Sequence, residues 1–133
     1  MKIKLLKSKI HRVTVTGACL DYEGSISVDR SLLQASKIIP YEKVHVLNVT
    51  NGNRLETYVL PSDIKGEICI NGAAAHLVNP NDIVIIVSYA QMSVEEGKNF
   101  FPTIIYPNEA NEIKWKIQFL IFKNLKITQV PLV

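Results

Sequence analysis

Cysteine is scarce in this sequence: Cys19 and Cys69 are the only two, too few and too far apart for a disulfide scaffold. Metal-ligand spacing is missing as well. His11, His45 and His76 form no H-x-x-x-H, the cysteines form no C-x-x-C, and no metal site is expected. His45, set in an apolar run, reads as a structural histidine. Long apolar runs are absent. The longest, Ile83–Val87 and Phe119–Phe122, fall well short of the roughly 20 residues that a membrane-crossing helix needs. The N-terminus, Met1-Lys2-Ile3-Lys4-Leu5-Leu6-Lys7, has no unbroken stretch for a signal peptide. These absences predict a cytoplasmic protein with no membrane contact. Charge of one sign is modest, at net +3, with lysines scattered at both ends and no aromatics interleaved among the N-terminal ones. No nucleic-acid partner is expected from that pattern, whereas a mild positive balance suits a small acidic substrate. There is no G-x-G-x-x-G, no Walker pattern and no G-x-S-x-G around Ser25, which argues against a nucleotide site and against a serine-hydrolase elbow.

What remains is a chain of 133 residues, 47% hydrophobic and 20% charged, a balance that fits one domain, 1–133, with its own core. The pattern is mainly β. A strand is predicted over Lys9–Thr16, with His11, Val13 and Val15 on one face. Shorter strands follow at Ile26–Val28 and Glu67–Ile70, and Asp29 is a good N-cap for a brief helix, Arg30–Lys37, that Pro40 prevents from continuing. Lys43–Val49 and Arg54–Leu60 flank Asn51-Gly52, the signature of a two-residue hairpin turn. Ile83–Tyr89 is apolar throughout, as in a strand buried on both faces. Ser93-Val94-Glu95-Glu96 is a capping box for about one helical turn. Strands are expected again at Thr103–Tyr106 and from Ile113 onward, the last as an edge or tail strand. Many short strands with turns between them predict a small β-barrel with short helices.

One pair stands out. Gly24-Ser25 places a small hydroxyl beside its own preceding carbonyl at the mouth of an apolar run, although such a pair alone is an ordinary turn. The small-residue segment Asn71-Gly72-Ala73-Ala74-Ala75-His76 would let backbone approach a ligand closely.

Taken together, Lys9-Ile10-His11-Arg12-Val13, Tyr22-Glu23-Gly24-Ser25, Asn48-Val49-Thr50-Asn51-Gly52, Arg54 with Thr57-Tyr58, and Asn71–His76 resemble the pyruvoyl-dependent aspartate decarboxylase family. The likeness runs from about Lys9 to Gln91, in the same order and nearly the same spacing. It implies a six-stranded double-psi β-barrel, a homotetramer, and a proenzyme that cuts itself between Gly24 and Ser25 into 1–24 (β chain) and 25–133 (α chain). Ser25 would become the pyruvoyl cofactor, which holds substrate as a Schiff base. The reaction implied is decarboxylation of L-aspartate to β-alanine and CO2, a step of pantothenate and coenzyme A biosynthesis. Some members need a separate maturation factor.

The residues suit the roles that the resemblance assigns. Gly24 has no Cβ and tolerates strain, Ser25 brings the attacking oxygen, and Thr57 would stabilise the oxyanion formed at Gly24. Arg54 can hold the retained carboxylate bidentately while Lys9 adds charge. Ala73 and Ala74 would keep the departing carboxylate dry, and Gly72, Ala73 and Ala74 would supply backbone contacts. Tyr58 would be the proton donor, since a phenol ordinarily keeps its proton at neutral pH. His11 and Asn71 have supporting places. Strict alternation puts Thr57 and Tyr58 on opposite strand faces, so either the strand ends or bulges there or the site lies between protomers. Two other readings stand beside this one: a decarboxylase of another small acidic amino acid such as glutamate, and a non-catalytic barrel oligomer that never matures. Beyond about Phe101 the resemblance fades, and the tail Trp115–Val133 reads as an extra packed strand or an oligomer contact.

Overall fold

The computed structural model describes the backbone of residues 1–120 and 126–131 and the side chains of 1–114. Apolar residues recur at strand spacing through most of the chain, and ten strands result: β1 (Lys2–Thr14), β2 (Gly17–Cys19), β3 (Ile26–Asp29), β4 (Lys43–Asn48), β5 (Arg54–Ser62), β6 (Ile68–Asn71), β7 (Ile83–Ser93), β8 (Thr103–Pro107), β9 (Ile113–Leu120) and β10 (Lys126–Pro131). Helix is limited to α1 (Arg30–Ser36), α2 (Val94–Gly97) and a 3-10 turn at Gly72–Leu77. The strands lie in the order β10-β9-β8-β1-β7-β4-β5-β3-β6-β2. Three neighbouring pairs are parallel, β1 with β8, β2 with β6 and β3 with β5. The mainly β class with short helices is the one expected.

Ile10, Val13, Val28, Leu32, Val46, Ile70, Ile86 and Ile105 are all fully buried in one core cluster. Each contributes about 1.5–3 kcal/mol of transfer free energy relative to exposure. Helix α1 begins where expected: the Asp29 carboxylate accepts from Ser31 N–H and Ser31 Oγ, both at 2.8 Å. It ends at Ser36 with Lys37 in the left-handed region. Burial alone would raise the Asp29 pKa, but hydrogen bonds from Gly66 N–H and Ser31 and the charge of Lys65 outweigh it and hold the carboxyl below its usual range. The capping box at Ser93 forms, with Ser93 Oγ accepting from Glu96 N–H at 3.1 Å.

Three expectations change. β1 starts at Lys2, and its register slips between Ile10 and Val13, where Arg12 has φ +67°. That bulge turns both Ile10 and Val13 into the core and takes His11 out of the predicted His11-Val13-Val15 face. The Asn51-Gly52 turn is not a two-residue hairpin. Leu47 pairs with Arg54, the Asn48 N–H reaches the Asn53 carbonyl at 2.8 Å, and only Gly52 of the pair has positive φ. The Asn48 side-chain oxygen accepts from Thr50 and Asn51 N–H groups and so widens the loop. β9 lies between β8 and β10, so it is an interior strand, and β10 is the edge; the expected side-chain alternation from Trp115 on lies outside the described residues.

Asn111, in the turn between β8 and β9, ties three segments together. Its Nδ2 donates to the carbonyls of Thr14 and Gly66, and its Oδ1 accepts from Thr14 N–H, each at 2.8 Å. Asn111→Ala should cost about 2–4 kcal/mol, because buried backbone groups lose their partners. The check is a lower denaturant midpoint with an unchanged slope at fixed protein concentration.

Candidate active site

The site grows from β3 and its two neighbours. β3 runs parallel to β5, with Ile26 level with Val59, and antiparallel to β6, with Ile26 level with Ile70. That placement carries the Gly24–Ser25 bond, just ahead of β3, to the level of Thr57 and Tyr58. The Ser25 carbonyl accepts from Asn71 N–H at 2.9 Å. Asn71, nearly buried, also donates from Nδ2 to Ser27 Oγ at 3.1 Å.

Ser25 has φ +95°, a conformation that a side chain disfavours. It is 1% exposed, and its Oγ has no hydrogen-bond partner among the described residues. Backbone strain of this kind costs on the order of 1–3 kcal/mol and persists only where the surroundings enforce it. Here the enforcing element is Gly72. A β-carbon on Gly72 would fall 2.8 Å from Gly24 N, 2.9 Å from Gly24 Cα and 3.0 Å from the Tyr22 carbonyl oxygen. Only a glycine lets the two backbones meet, and at φ +69° only a glycine sits there without strain. On the other side of the bond, a β-carbon placed on Gly24 would stand 3.8 Å from Tyr58 Oη. A cavity of about 440 Å³ opens beside it, lined by Asp21, Tyr22, Glu23, Tyr41, Tyr58 and Leu60.

β5 is in regular register with β4 from Arg54 to Tyr58, so the alternation of the sequence holds. Arg54, Glu56 and Tyr58 are exposed on the outer face, and Thr57 and Val59 turn inward. Neither a strand end nor a bulge brings Thr57 and Tyr58 to one face. Lys9 shares the outer face: Lys9 is level with Val87, Val87 with His45, and His45 with Glu56. β7 and β4 therefore stand between the Lys9 strand and the Arg54 strand. The chain thus brings Gly24, Ser25, Tyr58, Asn71 and Gly72 together but leaves Lys9 and Arg54 spread across an open sheet face.

Charges on that face are partly spoken for. Glu56 pairs with Lys43 and with His45 Nε2, both at 3.0 Å, and this cluster borders a second recess of about 420 Å³ with Lys4, Tyr89 and Gln91. Lys43 already has a carboxylate, whereas Arg54 makes no ion pair among the described residues. His11, half-buried beside Tyr106 (ring centroids 5.3 Å apart), keeps Nδ1 without a partner among the described residues. Burial, then the charges of Lys9 and Arg12, lower its pKa, so the ring is neutral at neutral pH. Ala73 is exposed and Ala74 half-buried within the single chain. Tyr41 was not among the expected site residues. Its marks are structural, a positive φ of +70° and a ring stacked on that of Tyr58.

A pyruvoyl group made from Ser25 fits these surroundings. The hydroxyl is buried and uncommitted, the peptide is strained, and the neighbours at closest approach are glycine backbone and a phenol.

The family model for aspartate decarboxylase matches residues 1–114. The likeness therefore runs well past Gln91 and past Phe101. A protein of Campylobacter fetus named aspartate 1-decarboxylase is 53% identical over 113 residues, 85% of this chain and 98% of the relative. One of the same name from Hydrogenobaculum is 54% identical over 113 residues, covering 85% and 90%. Another from Caulobacter vibrioides is 52% identical over 115 residues, covering 86% and 98%. Matched along nearly the full length of such relatives, the chain belongs to the aspartate decarboxylase family.

Proposed function

We propose that this chain cuts itself between Gly24 and Ser25, converts Ser25 to a pyruvoyl group, and decarboxylates L-aspartate to β-alanine and CO2 in the cytoplasm. The observation that carries the reading is Ser25 itself: a strained, buried serine with an uncommitted hydroxyl, its preceding glycine clamped against Gly72. The relatives, each an aspartate 1-decarboxylase by name, point to the substrate.

The cleavage balances within the chain. Ser25 Oγ bonds to the Gly24 carbonyl carbon, the Gly24–Ser25 C–N bond breaks, and the hydroxyl proton moves to the Ser25 nitrogen, leaving an ester and a free amine. Thr57, turned inward at the level of Gly24, is the donor assigned to the oxyanion. Loss of the Ser25 α-proton then breaks the Cβ–Oγ bond and releases the Gly24 carboxylate. Tautomerisation and hydrolysis of the remaining unsaturated amine release ammonia and leave the ketone. That ketone supplies an electrophile for the substrate amine and a sink for the electrons left when CO2 departs.

The chain's own residues do the rest. Arg54, exposed and unpaired, holds the carboxylate that stays, and Lys9 adds a second cation. Tyr58, whose hydroxyl already lies against Gly24, returns a proton to the carbon that lost CO2. Asn71 holds the Ser25 carbonyl, the Gly72–Ala74 backbone lines the substrate, and neutral His11 supports the Lys9 strand. Lys9 and Arg54 are separated within one chain but share an outer face, which supports a homotetramer whose sites are completed between copies. In that assembly the open face carrying Arg54 and Tyr58 meets a neighbour, and exposed Ala73 is covered. The six-stranded double-psi closure of the family accompanies this reading, and a maturation factor is compatible with it.

Four outcomes test it. Intact-mass measurement of the purified protein should show fragments 1–24 and 25–133, the second blocked at its N-terminus. Ser25→Ala should remain a single folded chain that makes no β-alanine, and product from that variant would refute the chemistry. Gly72→Ala should slow cleavage roughly tenfold or more, because a displacement of about 1 Å at a reacting bond is costly; cleavage at the parent rate would show that the close approach is dispensable. Tyr58→Phe should cleave normally yet turn over aspartate roughly a hundredfold more slowly, and unchanged turnover would remove Tyr58 from its role.

A further inference from the structure

Pro40 and Tyr41 are the central residues of a turn closed by a hydrogen bond from Glu42 N–H to the Ile39 carbonyl, 3.1 Å. Proline fixes the first at negative φ, and Tyr41 has φ +70°, so the turn is type II. The third position of such a turn is the place for glycine or asparagine, and a bulky residue there is an outlier.

Burial cannot be the reason for it, since Tyr41 is 74% exposed. What the conformation does is lay the Tyr41 ring on the Tyr58 ring, with centroids 6.3 Å apart and planes 29° from parallel. The surroundings hold it there. Tyr41 N–H donates to the Val59 carbonyl at 2.8 Å, and Val59 N–H donates to the Glu42 carbonyl at 3.1 Å, so the turn is stitched to β5 one residue past Tyr58. The Glu42 carboxylate accepts from Lys7 Nζ at 2.9 and 3.0 Å and from Ile39 N–H at 3.2 Å. Both rings line the cavity beside Gly24.

We infer that Tyr41 is a positioning residue for Tyr58: a left-handed tyrosine, held by the Ile39–Glu42 turn, stacks on the Tyr58 phenol and keeps its hydroxyl aimed at the reacting carbon. The inference rests on the reading of Tyr58 as proton donor. Without the stack the phenol of a 38% exposed residue is free to swing toward solvent, and the proton-transfer step slows while substrate binding through Arg54 and Lys9 does not.

The test compares Tyr41→Asn, Tyr41→Phe and Tyr58→Phe in the full, self-processed protein. Asparagine tolerates the left-handed turn but removes the ring. For Tyr41→Asn we expect a melting temperature no lower than the parent's, the same extent of self-cleavage by intact mass, an unchanged KM, and a kcat lower by roughly three- to tenfold. Tyr41→Phe keeps the ring and should restore kcat. The inference is overturned by parental kcat in Tyr41→Asn, by equal impairment in Tyr41→Phe, or by a kcat that falls only together with the melting temperature. Parental turnover in Tyr58→Phe would overturn the proton-donor role and this inference with it. Impaired Tyr58→Phe beside normal Tyr41→Asn would overturn this inference alone.

Discussion

The arrangement around Ser25 depends on two stretches of backbone touching where neither has a side chain. Gly72 and Gly24 approach so closely that a single methyl on Gly72 would overlap Gly24 N and Cα. This contact is held from both ends. At one end Asn71 N–H grips the Ser25 carbonyl. At the other, the Leu77 carbonyl at the end of the 3-10 helix accepts from the side-chain amides of Asn48, Asn51 and Asn53 at 3.3, 3.2 and 3.2 Å. Asn48 in turn donates to buried Asp82 at 2.8 Å, and Asp82 accepts from Asn79 N–H. A segment of small, weakly packing residues is thereby made rigid enough to press on the peptide it faces. The strain at Ser25 is sustained by this frame, since an isolated serine would relax out of φ +95°.

β5 links that frame to the sheet surface by the period of two that every strand has. Its inner residues reach toward the core and the scissile bond, while Arg54, Glu56 and Tyr58 look outward. Glu56 pairs with the Lys43 ammonium and lies 3.0 Å from His45 Nε2, both on the neighbouring strand, which leaves Arg54 as the cation of β5 without a carboxylate among the described residues. Such surface pairs contribute little stability, so their effect here is on charge distribution: they keep a carboxylate on the same face from competing for Arg54.

Much of this was legible in the residues. Asp29 as an N-cap, Ser93 as a capping box and the alternation of β5 follow from local chemistry that the fold does not override. The grouping of Gly24, Ser25, Tyr58, Asn71 and Gly72 came from matching spaced motifs, and the strand pairings of β3 show why those spacings matter. Other features depended on distant partners. The bulge at His11 and Arg12 exists because Ile10 and Val13 both need the core, a demand set by β7 and invisible along β1 alone. Asn51-Gly52 looked like a two-residue turn because its propensity is local, whereas Asn48 and Leu77 rebuild it through side-chain bonds to another segment. The small-residue run coils as a 3-10 helix because its last carbonyl finds three donors. Tyr41 carried no signal of composition, and only its φ value and the ring beneath it mark it.

The position of Tyr58 also orders the proposed chemistry. Its hydroxyl stands 3.8 Å from where a β-carbon on Gly24 would lie, on a residue that is 38% exposed, so the acid is beside the scissile bond before that bond is cut. Under the proposed reaction, breaking the Gly24–Ser25 bond creates the electrophile next to an acid already in place. An uncut chain would lack the ketone, so self-cleavage alone would switch the activity on. The strained serine, the glycine pair and the stacked tyrosines are then parts of one sequence of events: the glycines hold the bond in reach of its own hydroxyl, and the tyrosines keep the acid in place for the substrate that follows.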